Sequence, residues 1–307
     1  MDKHSPHLET DLNTLLQMAT NRRQMLRWLS AGSAMSLLAC GGGSSDASST
    51  TTGTTTVTTT TTTGTTTSTG TTTGTTTGTT TGTTTGTSTG TGSCTVIPEE
   101  TAGPYPGDGS NSNGSSIANA LLLSGIVRSD IRSSIAGASA VAAGVPLTIK
   151  LQLVNTKTSC ASLAGYAIYL WHCDRDGNYS MYSSGITTEN YLRGVQETDS
   201  SGNVSFTTIF PGCYSGRIPH VHFEVYPSLT KISSANNKVK TSQFTFPMAT
   251  LNEAYLATGY TASVRNLAQI TYATDNVFSD GTSLQMVSVT GNATQGYVVT
   301  LSVAISV

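Results

Sequence analysis

Apolar residues recur with a period of two in several short stretches of this chain. From Pro146 to Val154, Leu147, Ile149, Leu151 and Leu153 alternate with Thr148, Lys150 and Gln152, which predicts a half-buried β-strand. Asn203 to Phe210 repeats the pattern through Val204, Phe206, Thr208 and Phe210, and the C-terminus does so through Tyr297, Val299, Leu301, Val303, Ile305 and Val307. Gly165 to Trp171 is apolar on both faces, as expected of a central strand. Asp176-Gly177 and Asp280-Gly281 read as turns, and only Thr250 to Tyr272 offers helical or irregular content. Many short strands with turn punctuation and little helix predict a β-sandwich.

One more alternating run carries chemistry. Val221, Phe223 and Val225 alternate with His220, His222 and Glu224, so two imidazoles share a strand face and can reach one metal ion. The lead-in Pro211-Gly-Cys-Tyr214-Ser-Gly-Arg217 is turn-rich and brings a phenol and a guanidinium. Upstream, Trp171 to Ser180 leaves a buried strand through the Asp176-Gly177 turn and presents Tyr179. Taken together, Tyr179, Tyr214, His220 and His222 make a Tyr/Tyr/His/His set that could hold one metal ion. A phenol with a free pKa of about 10 ionises there because the metal stabilises its anion. Duller readings stand beside these. Tyr179 and Tyr214 could anchor turns, the histidines could be surface residues, and Arg217 could cap a loop or pair with Glu224. A Tyr/His set of this kind also suits copper or zinc. His172 reads as a structural histidine, and Glu224 lies one residue pair too far along the strand to complete a His/His/carboxylate site.

Composition divides the 307 residues into three parts. Residues 1–40 read as an export signal. Asn21-Arg22-Arg23-Gln24-Met25-Leu26-Arg27 resembles a twin-arginine motif, Trp28 to Ala39 is a short apolar run, and Leu37-Leu38-Ala39-Cys40 resembles a lipoprotein box with Cys40 lipidated. An ordinary cleaved signal peptide is the alternative. Residues 41–93 are nearly all Thr, Gly and Ser and predict a disordered tether, with an r.m.s. span of roughly 35–40 Å. Residues 94–307 then form the folded domain. A formal net charge of -2 with only 10% charged residues leaves no footprint for nucleic acid, and a membrane is met only through the lipid anchor. An exported, periplasmic or cell-surface protein follows.

Three motifs in order carry a resemblance to a known family. Trp171-His-x-Asp-x-Asp-Gly-x-Tyr179-Ser, Phe210-Pro-Gly-x-Tyr214 and Arg217-x-Pro-His220-x-His222 resemble the signature of intradiol ring-cleavage dioxygenases. Gly103-Pro-Tyr105 and Ser242-Gln243-Phe244 fit as well, and the likeness spans Cys94 to Val307, nearest the exported, protocatechuate 3,4-dioxygenase-like members. The resemblance implies an all-β, prealbumin-like β-sandwich holding non-haem Fe(III). Tyr179 and His220 would be equatorial ligands, with Tyr214 and His222 axial. It implies that Tyr214 leaves the metal when a small aromatic diol chelates it, and that Arg217 stabilises charge on the ring. Gln243 would stand beside Arg217, and Tyr105 would wall the substrate pocket. With O2, the ring would open between its two hydroxylated carbons to a muconate-type diacid. A non-catalytic prealbumin-like binding or adhesion module shares the strand-and-turn rhythm, and the paired tyrosines and histidines argue against it.

Four cysteines remain once Cys40 is set aside, and they fit an oxidising compartment. Cys160 and Cys173 flank one predicted strand and its lead-in, so that pair is favoured. Cys213 departs from the family pattern, which often places a bulky aromatic there, so it either widens the pocket or pairs with Cys94.

Overall fold

The computed structural model describes residues 94–307. The signal segment expected over 1–40, with Cys40, and the linker expected over 41–93 lie outside the described residues. A short hairpin comes first, β1 (Asp108–Ser112) with β2 (Ile117–Asn119), followed by β3 (Pro146–Asn155) and β4 (Ala161–Ser162). Then come β5 (Ala167–Trp171), β6 (Arg193–Glu197), β7 (Asn203–Ile209), β8 (His220–Tyr226) and β9 (Lys240–Thr245). Two helices, α1 (Met248–Ala254) and α2 (Thr261–Leu267), precede β10 (Ser288–Asn292) and β11 (Gly296–Ile305).

The strands form two larger sheets. In one, β3 is central: β11 runs parallel to it on one side, and β7 and β4 pair antiparallel on the other, with β10 outside β11. The other sheet has the order β6-β5-β8-β9 and is antiparallel throughout. The alternating residues of the first sheet do what their period demands. Leu147, Ile149, Leu151 and Leu153 bury with Phe206, Val299 and Val303 in one core that also takes Ile168, Leu170, Val221, Phe223, Val225 and Phe244 from the second sheet. Each such side chain contributes about 1.5–3 kcal/mol of burial relative to exposure.

The expected all-β, prealbumin-like sandwich is corrected here. The domain is mixed, with two α-helices and a large sheet that combines parallel and antiparallel pairs. A period-two pattern is the same for either strand direction, so the parallel β3–β11 pairing is invisible in it. α2 lies inside Thr250 to Tyr272, where irregular or helical content is expected, and α1 starts two residues before it. Leu251 and Ala254 of α1 and Leu267 of α2 sit in the main core. From there the helical region grips the loop before Tyr214. Tyr255 OH donates to Pro211 O at 3.0 Å and Tyr260 OH to Phe210 O at 2.7 Å. Ser263 Oγ accepts from Cys213 N at 2.9 Å, and Asn266 Nδ2 donates to Cys213 O at 2.7 Å.

The cysteine pairing also differs from expectation. Cys94 bonds Cys160, while Cys173 and Cys213 are buried free thiols. Cys173 lies in a buried aromatic cluster just after β5 with its thiol on Gly212 O, whereas Cys160 sits at a turn. Burial drives both free thiols up, Cys213 to about 12, so they stay protonated and unreactive. Cys213 lies in the main core with its thiol toward Arg217 O, so it is not the partner of Cys94.

Candidate metal centre

All seven residues of β8 are buried. Val221, Phe223 and Val225 face the main core, which puts His220, His222 and Glu224 on the opposite face. That face is covered by a second cluster containing Tyr169, Trp171, Tyr179 and Tyr226, with Tyr105, Tyr182 and Tyr214 packed at its margin. Pairing carries the positions across strands: His222 stands opposite Trp171 of β5 and Gln243 of β9. Trp171 stacks on the His222 ring at 4.9 Å and 7°.

Two turns deliver the tyrosines. In the first, Asp174 Oδ1 accepts from the backbone N of Asp176 at 3.0 Å and of Asn178 at 2.9 Å, closing the Asp-Gly turn ahead of Tyr179. In the second, Gly212 N donates to Asp174 O at 3.0 Å, docking the Tyr214 loop on the first turn. This approach needs glycine, because a Cβ at Gly212 would stand 2.5 Å from Arg175 O. Gly177 has φ +86°, and a Cβ there would meet Tyr214 Cβ at 2.9 Å.

Four donor atoms converge as a result. Tyr179 OH lies 3.4 Å from His222 Nε2 and 3.5 Å from His220 Nε2, and Tyr214 OH lies 3.3 Å from His220 Nε2. The two imidazole Nε2 atoms are 3.0 Å apart. His220 Nδ1 donates to Ile218 O at 2.6 Å, which leaves its Nε2 as a lone pair aimed into the cluster. His222 Nδ1 is buried without a partner among the described residues. Either tautomer of His222 therefore leaves Nδ1 without a protein partner, while its Nε2 faces the cluster. Burial, then the Tyr214 phenol, holds Tyr179 well above the usual phenol range, and burial pushes Tyr214 to about 12. Burial, with Arg217 nearby, holds the His220 imidazole well below its usual range, and burial with His220 and Arg217 does the same for His222, so both are neutral. Neutral imidazoles with phenols that ionise only beside a strong Lewis acid fit a bound ferric ion. Among the described residues no group of three or more His, Cys, Asp or Glu gathers to hold a metal. This set contains two of those residues, and its other two donors are phenols.

The remaining candidates fall around this cluster. Arg217 Nη1 lies 3.4 Å from His220 Nε2, and Arg217 Nη2 donates to Gln243 Oε1 at 2.8 Å. Gln243 Nε2 donates in turn to Thr101 O at 2.8 Å, tying the N-terminal segment over the site. The Tyr105 ring is 4.9 Å from that of Tyr179. The expected alternative partner of Arg217, Glu224, is engaged elsewhere: it accepts from Lys238 Nζ and Tyr226 OH, both at 2.7 Å. Burial, with Asp108 nearby, pushes its carboxyl up to about 7. His172 is structural, with both ring nitrogens bonded, to Cys173 O at 2.8 Å and Thr208 Oγ1 at 2.7 Å.

Sequence reasoning missed Asp275, the fully buried residue that pairs with Arg217 Nε at 2.9 Å. Nothing local marks an Asp in a Thr-Asp-Asn run as the partner of an arginine 58 residues earlier.

A family profile described as dioxygenase matches residues 132–233, which include Tyr179, Tyr214, Arg217, His220 and His222. No curated protein matches the chain. Among solved structures, the fold is similar to an intradiol ring-cleavage dioxygenase from Tetranychus urticae, at 23% identity and TM-score 0.54, covering 69% of this chain and 95% of that one. A second dioxygenase structure is 23% identical with TM-score 0.53 and the same coverage. The dioxygenase domain of a dioxygenase–carbohydrate-binding fusion from Streptomyces sp. SirexAA-E is 21% identical with TM-score 0.42, over 69% of this chain and 99% of that one. At these identities the structural likeness is one of fold.

Proposed function

We propose that this chain belongs to the intradiol ring-cleavage dioxygenase family and is a non-haem iron(III) enzyme that opens catechol-type rings between their two hydroxylated carbons. O2 is the co-substrate and a muconate-type dicarboxylic acid the product. The observation that carries this reading is the convergence of two phenol oxygens and two imidazole Nε2 atoms, with separations of 3.0–3.5 Å. Tyr179, Tyr214, His220 and His222 would hold the iron. Bound there, iron(III) would supply Lewis-acid chemistry that activates a catechol toward O2.

The protein's own groups do the rest. Tyr214 is half-buried whereas Tyr179 is only 2% exposed, so Tyr214 is the phenol that can swing aside and take a proton at Oη from a substrate hydroxyl. Tyr179 stays under the Tyr105 ring. The Arg217 guanidinium, directed at the cluster by Asp275 and Gln243, faces negative charge as it builds on the ring. Tyr105 forms a wall that helps to exclude water.

Oxygen uptake by the iron-loaded full-length protein with catechol, without added reductant, tests the proposal. The product should be cis,cis-muconate. A yellow semialdehyde would mean cleavage beside the diol instead. With iron bound, no oxygen uptake across a panel of catechols would favour a binding module.

We also propose that the chain is exported and lipid-anchored at Cys40. A labelled fatty acid should mark the wild type and not Cys40→Ser; label retained in the variant sinks this reading.

A further inference from the structure

Strand pairing sets four buried side chains in one row across the second sheet. Arg193 of β6 stands opposite Trp171 of β5, Trp171 opposite His222 of β8, and His222 opposite Gln243 of β9. In-register neighbours share a sheet face, so the row runs along the floor of the metal centre. Residues 101–107 cross over this row as a strap and are tied down at both of its ends. Gln243 Nε2 donates to Thr101 O at 2.8 Å, and Arg193 donates to Tyr105 O at 3.0 Å and Pro106 O at 2.8 Å. Between the ties, Gly103 passes so close to His222 that a Cβ there would stand 3.3 Å from its Cε1.

Arg193 is 1% exposed. Besides the two strap carbonyls, it donates to Ser180 O at 2.9 Å, Ser180 Oγ at 3.1 Å and Tyr169 OH at 3.1 Å. Every one of these acceptors is neutral. A buried guanidinium without a carboxylate is costly, so ion pairing does not account for an arginine here. What arginine alone supplies is a rigid fork that reaches several acceptors at once. The fork joins the strap to Ser180, the residue after Tyr179, and the Tyr105 ring rests 4.9 Å from that of Tyr179. Gly107 leaves room for it: φ is +61°, and a Cβ would meet Arg193 Nη1 at 2.8 Å.

We propose that Arg193 is a positioning residue of the metal centre: one guanidinium fixes both the turn that delivers Tyr179 and the strap that covers Tyr179 and His222. The inference rests on the iron-centre reading above, and one of its readouts needs neither iron nor substrate. In the iron-free full-length protein, amide hydrogens of 101–107 should exchange at least about tenfold more slowly than in a free peptide of that sequence. Arg193→Lys keeps the positive charge and loses the fork. Exchange over 101–107 should then quicken at least about tenfold, the scale of one lost hydrogen bond, while β8 exchanges as in the wild type. With iron bound, competition with a chelator should read an affinity lower by about 10–100-fold, and the phenolate-to-iron absorption should shift.

Exchange of 101–107 at the free-peptide rate in the wild type would overturn the proposal, whether or not the variant folds. So would a folded Arg193→Lys in which 101–107 exchanges as in the wild type, or quickens only in step with β8, as a merely structural role requires. Wild-type iron affinity in that variant would overturn it as well. The expected exchange and iron affinities with no oxygen uptake from catechol would overturn the ring-cleavage reading while supporting the role of Arg193.

Discussion

At one end of the buried face of β8, Glu224 accepts hydrogen bonds from Lys238 and Tyr226 at 2.7 Å, and Lys238 reaches on to Asp108 at 3.1 Å. One residue pair away, His220 and His222 aim nitrogens at each other at 3.0 Å with two phenols alongside, and His222 Nδ1 has no partner. Both clusters are buried, polar and on the same strand face. The first is complete: each carboxylate has a cation and further donors, so its chemistry is spent on holding the β1 hairpin against the sheet. The second gathers two phenol oxygens and two imidazole nitrogens whose contacts are mostly with one another, at 3.0–3.5 Å. Burial of polar groups therefore does not mark a functional site in this protein. Convergence of ligand-type atoms does, because phenol oxygens and imidazole nitrogens brought together can share one cation.

The contrast breaks first at the metal. His220→Ala or His222→Ala should weaken iron binding more than about 100-fold, beyond the 10–100-fold typical of groups that merely support ligands. Glu224→Gln should leave bound iron near the wild-type level. Metal analysis after dialysis against a weak chelator reads both, and iron lost from Glu224→Gln would merge the two clusters into one site.

Arg217→Ala comes next. Losing a charge-assisted contact to the transition state costs about 3 kcal/mol, so turnover should fall roughly 100-fold with iron and colour retained. Turnover within a few-fold of wild type would remove Arg217 from the chemistry.

The complete cluster should answer in stability instead. Lys238→Met strands two buried carboxylates, and because Lys238 keeps 27% exposure the cost sits at the low end for a broken buried pair, about 3 kcal/mol. The melting temperature should drop by roughly 6–12 °C with kcat unchanged. A kcat loss without a melting shift would contradict the division of labour.

The smallest effect is in pH. Burial lowers His172 from 6.5 to about 4. The folded state thus prefers neutral His172, and its contribution is present above pH 6.5 and lost as pH falls toward 4. Between pH 7 and 5 this amounts to about 2 kcal/mol. His172→Gln, compared with wild type by denaturant titration of the iron-free protein, should flatten the acid limb by about that amount. An unchanged slope would mean that His172 is not the buried neutral group described.

The strands that carry the core were legible because a half-buried strand leaves a period-two trace; β3, β7, β8 and β11 lie where alternation puts them. The short strands β1, β4 and β10 were not, since their exposed, polar residues leave no such trace. Tyr179, Tyr214, Arg217, His220 and His222 could be singled out because each sits in a local motif whose turn chemistry and spacing are written in adjacent residues. Their meeting within 3.5 Å depends on contacts no motif contains. Asp174 O meets Gly212 N across 38 positions, and Asp275 meets Arg217 across 58.

Local sequence thus determined which side chains this protein has for chemistry, which strand face bears the imidazoles, and where the turns fall. Those are properties of backbone period and neighbouring residues. Tertiary structure alone decided the parallel pairing of β11 with β3, the Cys94–Cys160 bond, the helical clamp on the Tyr214 loop and the pairing of Arg217 with Asp275 rather than Glu224. Each of these joins segments far apart in the chain, and a contact of that kind is selected by the packing of the whole core, which no single stretch encodes.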